Sequence, residues 1–245
     1  MTTPTLMAIL AHPDDESFPM GGTLAKAAAG GKHVHLVTAT RGEAGIANMS
    51  AVETGVLREA ELRRACAELG VVQLTFLDYL DGTLESVPDS IGAARLLALM
   101  RHTQPDVVVT FGPDGISGHP DHLVVHRWAT AAFDQYQKEE KRPLRLYYIA
   151  PSEATQQGCG IAPPAEAVGG PVAFIDVGDY LVQKVRAAQQ HQSQNPPFTG
   201  DPVTEAQNMA CHELFRLAWP QAAANGQKPE TDLFAGLTGV NQKTN

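Results

Sequence analysis

Six short apolar runs rich in β-forming residues recur along the chain, at Leu6 to Ala11, Val34 to Thr40, Gln73 to Tyr79, Asp106 to Gly112, Leu146 to Ala150 and Val172 to Val177. Between them lie longer stretches with helical spacing. Leu62, Ala65, Cys66 and Leu69 precede Gly70, a second segment begins at Ile91, Ala94, Arg95 and Ala98, and a third runs from Leu123 to Tyr136. Strand followed by helix, repeated, predicts a parallel sheet, because each parallel connection must cross the sheet face. Strands buried on both faces read as continuous apolar runs, as these do. The expected fold is α/β, a Rossmann-like three-layer sandwich with a mostly parallel sheet.

With 245 residues, against roughly 150 for a typical domain, one large domain is expected over 1–245. Residues 151–171, rich in Gly, Pro and Ala, read as a long surface loop able to shape a pocket. Residues 195–245 read as a C-terminal appendage, with a helix around Ala206 to Ala218.

A net charge of -9 opposes binding to phosphate backbones and anionic lipid heads, and no basic block interrupts it. Nucleic acid and membrane surfaces are therefore not expected partners. The longest apolar runs fall far short of the roughly 20 residues of a membrane span. The start Met1-Thr2-Thr3-Pro4 lacks the basic and apolar regions of a signal peptide, so a cytoplasmic protein is expected. Cys66, Cys159 and Cys211 are odd in number and widely separated, which suggests neither a disulfide framework nor a thiolate metal site.

In an open parallel sheet the ligand site lies beyond the carboxyl ends of the strands. Two clusters follow predicted strands there: His12-Pro13-Asp14-Asp15-Glu16 after the first and Gly118-His119-Pro120-Asp121-His122 after the fourth. A catalytic zinc takes three imidazole or carboxylate ligands and keeps a fourth position for water. His12, Asp15 and His122 supply such a set if the first and fourth strands lie side by side. The remaining carboxylate, Asp14, is then the general base for a water attacking an acyl carbon. His119 would stabilise the oxyanion or protonate the leaving amine, with Asp121 orienting its ring. The competing reading is structural: Asp14 or Asp15 capping the next helix in a His-Pro turn.

These segments, in this order, resemble the LmbE-like, or PIG-L-type, family of metal-dependent N-deacetylases. The likeness extends to Thr38 to Gly45, Leu57 to Leu62, His191-Gln192-Ser193-Gln194 and the Asp232-Leu233-Phe234-Ala235-Gly236-Leu237 tail. It implies the same roles: His12, Asp15 and His122 as metal ligands, Asp14 as base and His119 as its assistant. It also implies the substrate class, an acetylated amino-sugar of N-acetylglucosamine type, with Zn2+ as cofactor, Fe2+ as a substitute in some members, and a homo-oligomer as one option.

Arg58 stands before Glu61-Leu62 where the family has an arginine, and reads either as a substrate contact or as a solvated helical arginine. Asp81 reads as an acceptor for sugar hydroxyls or as the first residue of an Asp-Gly turn. Glu16 would orient a ligand from behind, and His191 would pack, stabilise a helix end or serve the site. Phe18, Pro19 and Met20 would line an acyl pocket or begin helix packing. The functional alternatives are a metal-dependent phosphoesterase, amidase or esterase on a non-sugar substrate, and a noncatalytic metal-containing binding protein. A nicotinamide dehydrogenase is disfavoured, since Gly21-Gly22 is not a Gly-x-Gly-x-x-Gly turn.

Overall fold

The computed structural model describes residues 3–150, 172–220 and 229–237. Seven strands form one sheet: β1 (Thr5–Leu10), β2 (His33–Thr38), β3 (Gln73–Phe76), β4 (Val107–Phe111), β5 (Arg145–Ile149), β6 (Val172–Asp176) and β7 (His212–Trp219). Their order is β3-β2-β1-β4-β5-β7-β6, with β7 antiparallel to both neighbours and the pairs among the first five parallel. The expected α/β sandwich with a mostly parallel sheet is the fold observed. The apolar runs that suggested parallel strands lie along β1 and β4, where every residue is buried. That burial is the main favourable term holding the layers together.

Helices α1 (Gly21–Ala29), α2 (Ala51–Leu69) and α5 (Leu181–Gln190) pack together, and α3 (Asp89–Thr103) packs on α4 (Pro120–Glu139). Right-handed crossovers place the two groups on opposite faces. Local chemistry sets their ends. Ser50 and Glu53 form a reciprocal capping box at the start of α2, and Gly70 closes it in the left-handed conformation at φ 70°. Pro120 occupies the first turn of α4, where its missing N–H costs nothing.

Two expectations need correction. The helix expected around Ala206 to Ala218 is absent: helix α6 covers only Pro202–Ala206, and His212–Trp219 is strand β7, lying between β5 and β6. Leu214, Leu217 and Ala218 repeat at helical spacing, but short apolar runs suit either period, and ladders on both sides decide for a strand. This part of the presumed appendage thus belongs to the sheet. Among the cysteines, Cys66 is free and buried, whereas Cys211 is disulfide-bonded. Separation along the chain does not measure distance in space, so the expectation of no bridge fails there. The loop expected at 151–171, and Cys159 within it, lie outside the described residues.

The strand order reverses between β1 and β4, which pair through Leu6 with Val107, Met7 with Val108 and Ala8 with Val109. Both clusters therefore emerge at the crevice where ligands bind in doubly wound sheets.

Candidate metal centre

The loop after β1 carries His12, Asp14 and Asp15, and the loop after β4 leads to His119 and His122 at the start of α4. His122 Nδ1 lies 2.9 Å from the Gly115 carbonyl, which can only accept, so Nδ1 holds the proton and Nε2 is left with a lone pair. Its ring stacks on Phe111 at 4.0 Å between centroids. His12 is fixed in the opposite sense, with Nε2 3.0 Å from Asp81 Oδ1 and 3.3 Å from Asp121 Oδ2. Its Nδ1 then points at His122 Nε2, 3.3 Å away.

Asp15 completes the set. One carboxylate oxygen lies 3.3 Å from His122 Nε2 and the other 3.7 Å from His12 Nδ1, where it also accepts the His12 backbone N–H at 2.8 Å. Ligands about 2.0–2.2 Å from a tetrahedral zinc sit about 3.3–3.6 Å from one another. The two 3.3 Å spacings fall on that edge and the 3.7 Å one just beyond it, and with both imidazoles neutral their facing lone pairs repel unless a cation lies between them. His12, Asp15 and His122 thus present one donor set compatible with a divalent metal. His12, His119 and His122 also bring ligand atoms within 4.8 Å of one another, as do His12, Asp81 and Asp121.

The field at this point favours positive charge. Burial disfavours protonated His12, but hydrogen bonds to Asp121 and Asp81 and the charge of Asp15 outweigh it and lift its pKa to about 10. Burial likewise opposes ionisation of Asp15, yet His122 and His12 hold it below the usual carboxylate range. What favours an imidazolium here favours a bound cation equally, with the imidazole then neutral.

Asp14 stands apart from the ligands. Its backbone has φ 103°, a region disfavoured for a side chain with a Cβ and costing on the order of 1–3 kcal/mol. Four hydrogen bonds hold the loop there. Arg58 Nη2 donates to the Pro13 carbonyl at 2.6 Å and lies 3.2 Å from Asp14 Oδ2, Arg58 Nη1 donates to Gly42 O at 3.1 Å, and the Asp14 N–H donates to Glu16 Oε2 at 3.0 Å. Burial, reinforced by the neighbouring Asp15 charge, pushes the Asp14 pKa up to about 7, against the pull of Arg58.

Several expected residues are placed differently from the sequence reading. Arg58 is neither a solvated arginine nor open to a ligand; it is 4% exposed and clamps the Asp14 loop. Asp121 does not orient His119. Its carboxylate binds His12 and accepts the N–H groups of Gly82 at 2.7 Å and Leu84 at 3.2 Å. Its own N–H donates to His119 Nδ1 at 3.2 Å, so His119 caps α4 and presents Nε2 towards the crevice. Burial, with His12 and His122 nearby, lowers the His119 pKa, which favours a neutral ring. Asp81 begins a turn with Gly82, at φ 76°, as one reading had it, and its carboxylate reaches His12, a contact that neither reading anticipated.

Phe18 and Pro19 line a cavity of about 460 Å³ that touches Asp15 and His122 and is walled by Ile116, Met209 and Leu214. Met20 is buried in the core instead. The buried pairs Glu16–His191 and Lys184–Glu213 and the docking of Ser193 on Glu61 were not predicted as pairs. No local signal joins residues so far apart in sequence.

A parallel α/β sheet with a histidine–aspartate cluster at its switch point, able to hold a metal, and a further carboxylate beside that cluster, is the arrangement of a hydrolase-type site. The chain matches the family model described as PIG-L, GlcNAc-PI de-N-acetylase, over residues 7–133. It is 34% identical to 1D-myo-inositol 2-acetamido-2-deoxy-alpha-D-glucopyranoside deacetylase of Actinosynnema mirum, over 96% of this chain and 98% of that one. It is 32% identical to the enzyme named deacetylase 1 for the same compound in Saccharopolyspora erythraea, over 96% and 94%. The solved N,N'-diacetylchitobiose deacetylase from Pyrococcus horikoshii shares the fold with a TM-score of 0.66 at 22% identity, covering 87% of this chain and 83% of that one. This chain belongs to the PIG-L family of hydrolytic N-deacetylases.

Proposed function

We propose that this protein is a zinc-dependent deacetylase that removes the acetyl group from a small N-acetylglucosamine-type conjugate, with iron(II) as an alternative metal. The observation that carries this reading is the spacing of His12, Asp15 and His122 donors at 3.3–3.7 Å with Asp14 held just outside the set. The relatives from Actinosynnema mirum and Saccharopolyspora erythraea are named for an acetamido-sugar linked to inositol, which supports the substrate class.

His12, Asp15 and His122 would hold a divalent cation, which when bound would supply Lewis-acid polarisation of the acyl carbonyl and lower the pKa of a nearby water to roughly 7. Asp14, held beside the ligand set by Arg58 and by Glu16, is placed to take a proton from the attacking water and to return it to the leaving amine. His119, kept neutral with Nδ1 engaged by the Asp121 N–H, offers its Nε2 proton to the developing oxyanion. One C–O bond forms and the C–N bond breaks, giving acetate and a free amine. Asp81 and Asp121 act from behind, orienting His12 through its far nitrogen.

The apolar wall of the 460 Å³ cavity favours, as a second reading, an amide or ester whose neighbouring group is not a sugar. Acetate release measured across N-acetylglucosaminyl conjugates and a panel of non-sugar amides separates the two. Replacing Asp14 by Asn should abolish turnover with metal content retained, whereas His122→Ala should lose both. A turning-over Asp14→Asn protein would remove the base assignment.

A further inference from the structure

The segment His191-Gln192-Ser193-Gln194, far from the crevice in sequence, ends α5 and forms a short 3-10 turn. Both of its polar anchors lead back to Asp14. His191 is inaccessible, and its Nε2 lies 2.6 Å from Glu16 Oε1, itself inaccessible. A carboxylate can only accept, so the imidazole donates. The other Glu16 oxygen accepts the Asp14 N–H at 3.0 Å, and Ser17 Oγ also donates to Glu16. Two residues on, Ser193 donates through its backbone N–H at 2.8 Å and its hydroxyl at 2.6 Å to the buried Glu61 carboxylate of α2. That helix carries Arg58, one turn away, whose guanidinium holds the Pro13 carbonyl and the Asp14 carboxylate.

We infer that His191 is a positioning residue for the reaction: through Glu16 it fixes the Asp14 backbone at φ 103° and so aims the Asp14 carboxylate at the attacking water. The inference rests on Asp14 being the base. A backbone in the left-handed half of conformational space returns to the favoured half unless its hydrogen bonds hold it. Glu16 supplies the bond to the Asp14 N–H, and Glu16 in turn is held by His191 and Ser17. His191 touches none of His12, Asp15 or His122 through any hydrogen bond among the described residues, so its removal should spare metal binding.

The test compares His191→Phe, His191→Gln and Glu16→Gln with Asp14→Asn as control, each loaded with metal and assayed on an acetylated amino-sugar conjugate. His191→Phe removes the donor and should lower kcat about 10- to 100-fold with KM within about twofold and metal stoichiometry unchanged. His191→Gln keeps an N–H donor at similar reach and should restore most of kcat. Glu16→Gln has one acceptor oxygen where two are used, so it should lower kcat at constant side-chain volume, and it decides the matter if His191→Phe does not fold. Amide hydrogen exchange at Asp14, read without substrate, should accelerate in both impaired variants. A folded, metal-loaded His191→Phe or Glu16→Gln protein with unchanged kcat, or one that loses only thermal stability, overturns the inference. An active Asp14→Asn control instead overturns the base assignment on which it rests.

Discussion

Asp121 Oδ2 lies 3.3 Å from His12 Nε2, although the Asp121 side chain belongs to the helix that begins at Pro120 and follows His119 directly. Its two oxygens also take the N–H groups of Gly82 and Leu84, so one carboxylate ties the β3–α3 connection to the imidazole of the first loop. The carboxylate fixes the ring orientation and would raise its basicity toward a bound cation. Asp121→Asn should weaken metal affinity about 10- to 100-fold, since the amide carries no charge and accepts through one oxygen only. Competition with a chromophoric chelator reads the change directly, and an unaltered affinity would show that Asp81 orients His12 alone.

Gly45 predicts a crowding effect on the Arg58 clamp. A Cβ at this position would stand 2.3 Å from Arg58 Nη1, closer than such atoms approach, and 3.2 Å from the Gly42 carbonyl that Arg58 binds. Gly45→Ala should therefore displace the guanidinium from Pro13 and Asp14 and lower kcat by about tenfold or more, a 1 Å misplacement being enough for such losses. Steady-state kinetics with parallel metal analysis provide the check; normal kcat would mean the loop yields without moving Arg58.

A purely structural prediction concerns the α3–α4 interface. A Cβ on Gly92 would meet the Trp128 indole at 2.0 Å, and that ring is fixed by a 2.9 Å hydrogen bond from Nε1 to Asp89. Alanine gains up to about 1 kcal/mol of helix propensity over glycine, but overpacking costs about 1–3 kcal/mol or more. Gly92→Ala should lower the unfolding free energy, measured by urea titration, while metal affinity stays within twofold. A stabilised variant would refute the close packing.

His35 makes the fold acid-sensitive. It is inaccessible, bonded to Thr75 Oγ1 at 2.9 Å through Nε2, and burial, with His33 and His102 nearby, lowers its pKa to about 4. The unfolded imidazole, near 6.5, binds its proton first as the pH falls. The stability gained by keeping His35 neutral is thus complete above about pH 6.5 and is lost as the pH drops towards 4. The loss amounts to about 3 kcal/mol. Denaturant titrations of the protein and of His35→Leu between pH 7 and 4 should converge by about that amount. Parallel pH profiles would mean that His35 is protonated in the native state.

Much of this molecule could be read from the chain because the signals are local. The helical spacing of Leu62, Ala65, Cys66 and Leu69 ahead of Gly70 and the unbroken apolar runs of β1 and β4 act within a few residues, and they mark the same elements in sequence and in space. The two histidine–aspartate clusters were legible for the same reason: imidazole and carboxylate at ligand spacing is a property of a short loop. The segment from His212 to Trp219 was misread because eight residues cannot distinguish a helix face from a strand until neighbours are known.

Chemistry confined to a short stretch of chain thus settled the class of fold, the candidate donor types and the family resemblance. Tertiary structure decided which carboxylate serves which imidazole, turning Asp121 to His12, burying Arg58 against Asp14 and seating His191 on Glu16. Those partners lie 109, 44 and 175 residues apart. Their meeting depends on strand order and helix packing, which arise from burial of the whole core and leave no mark at either residue alone.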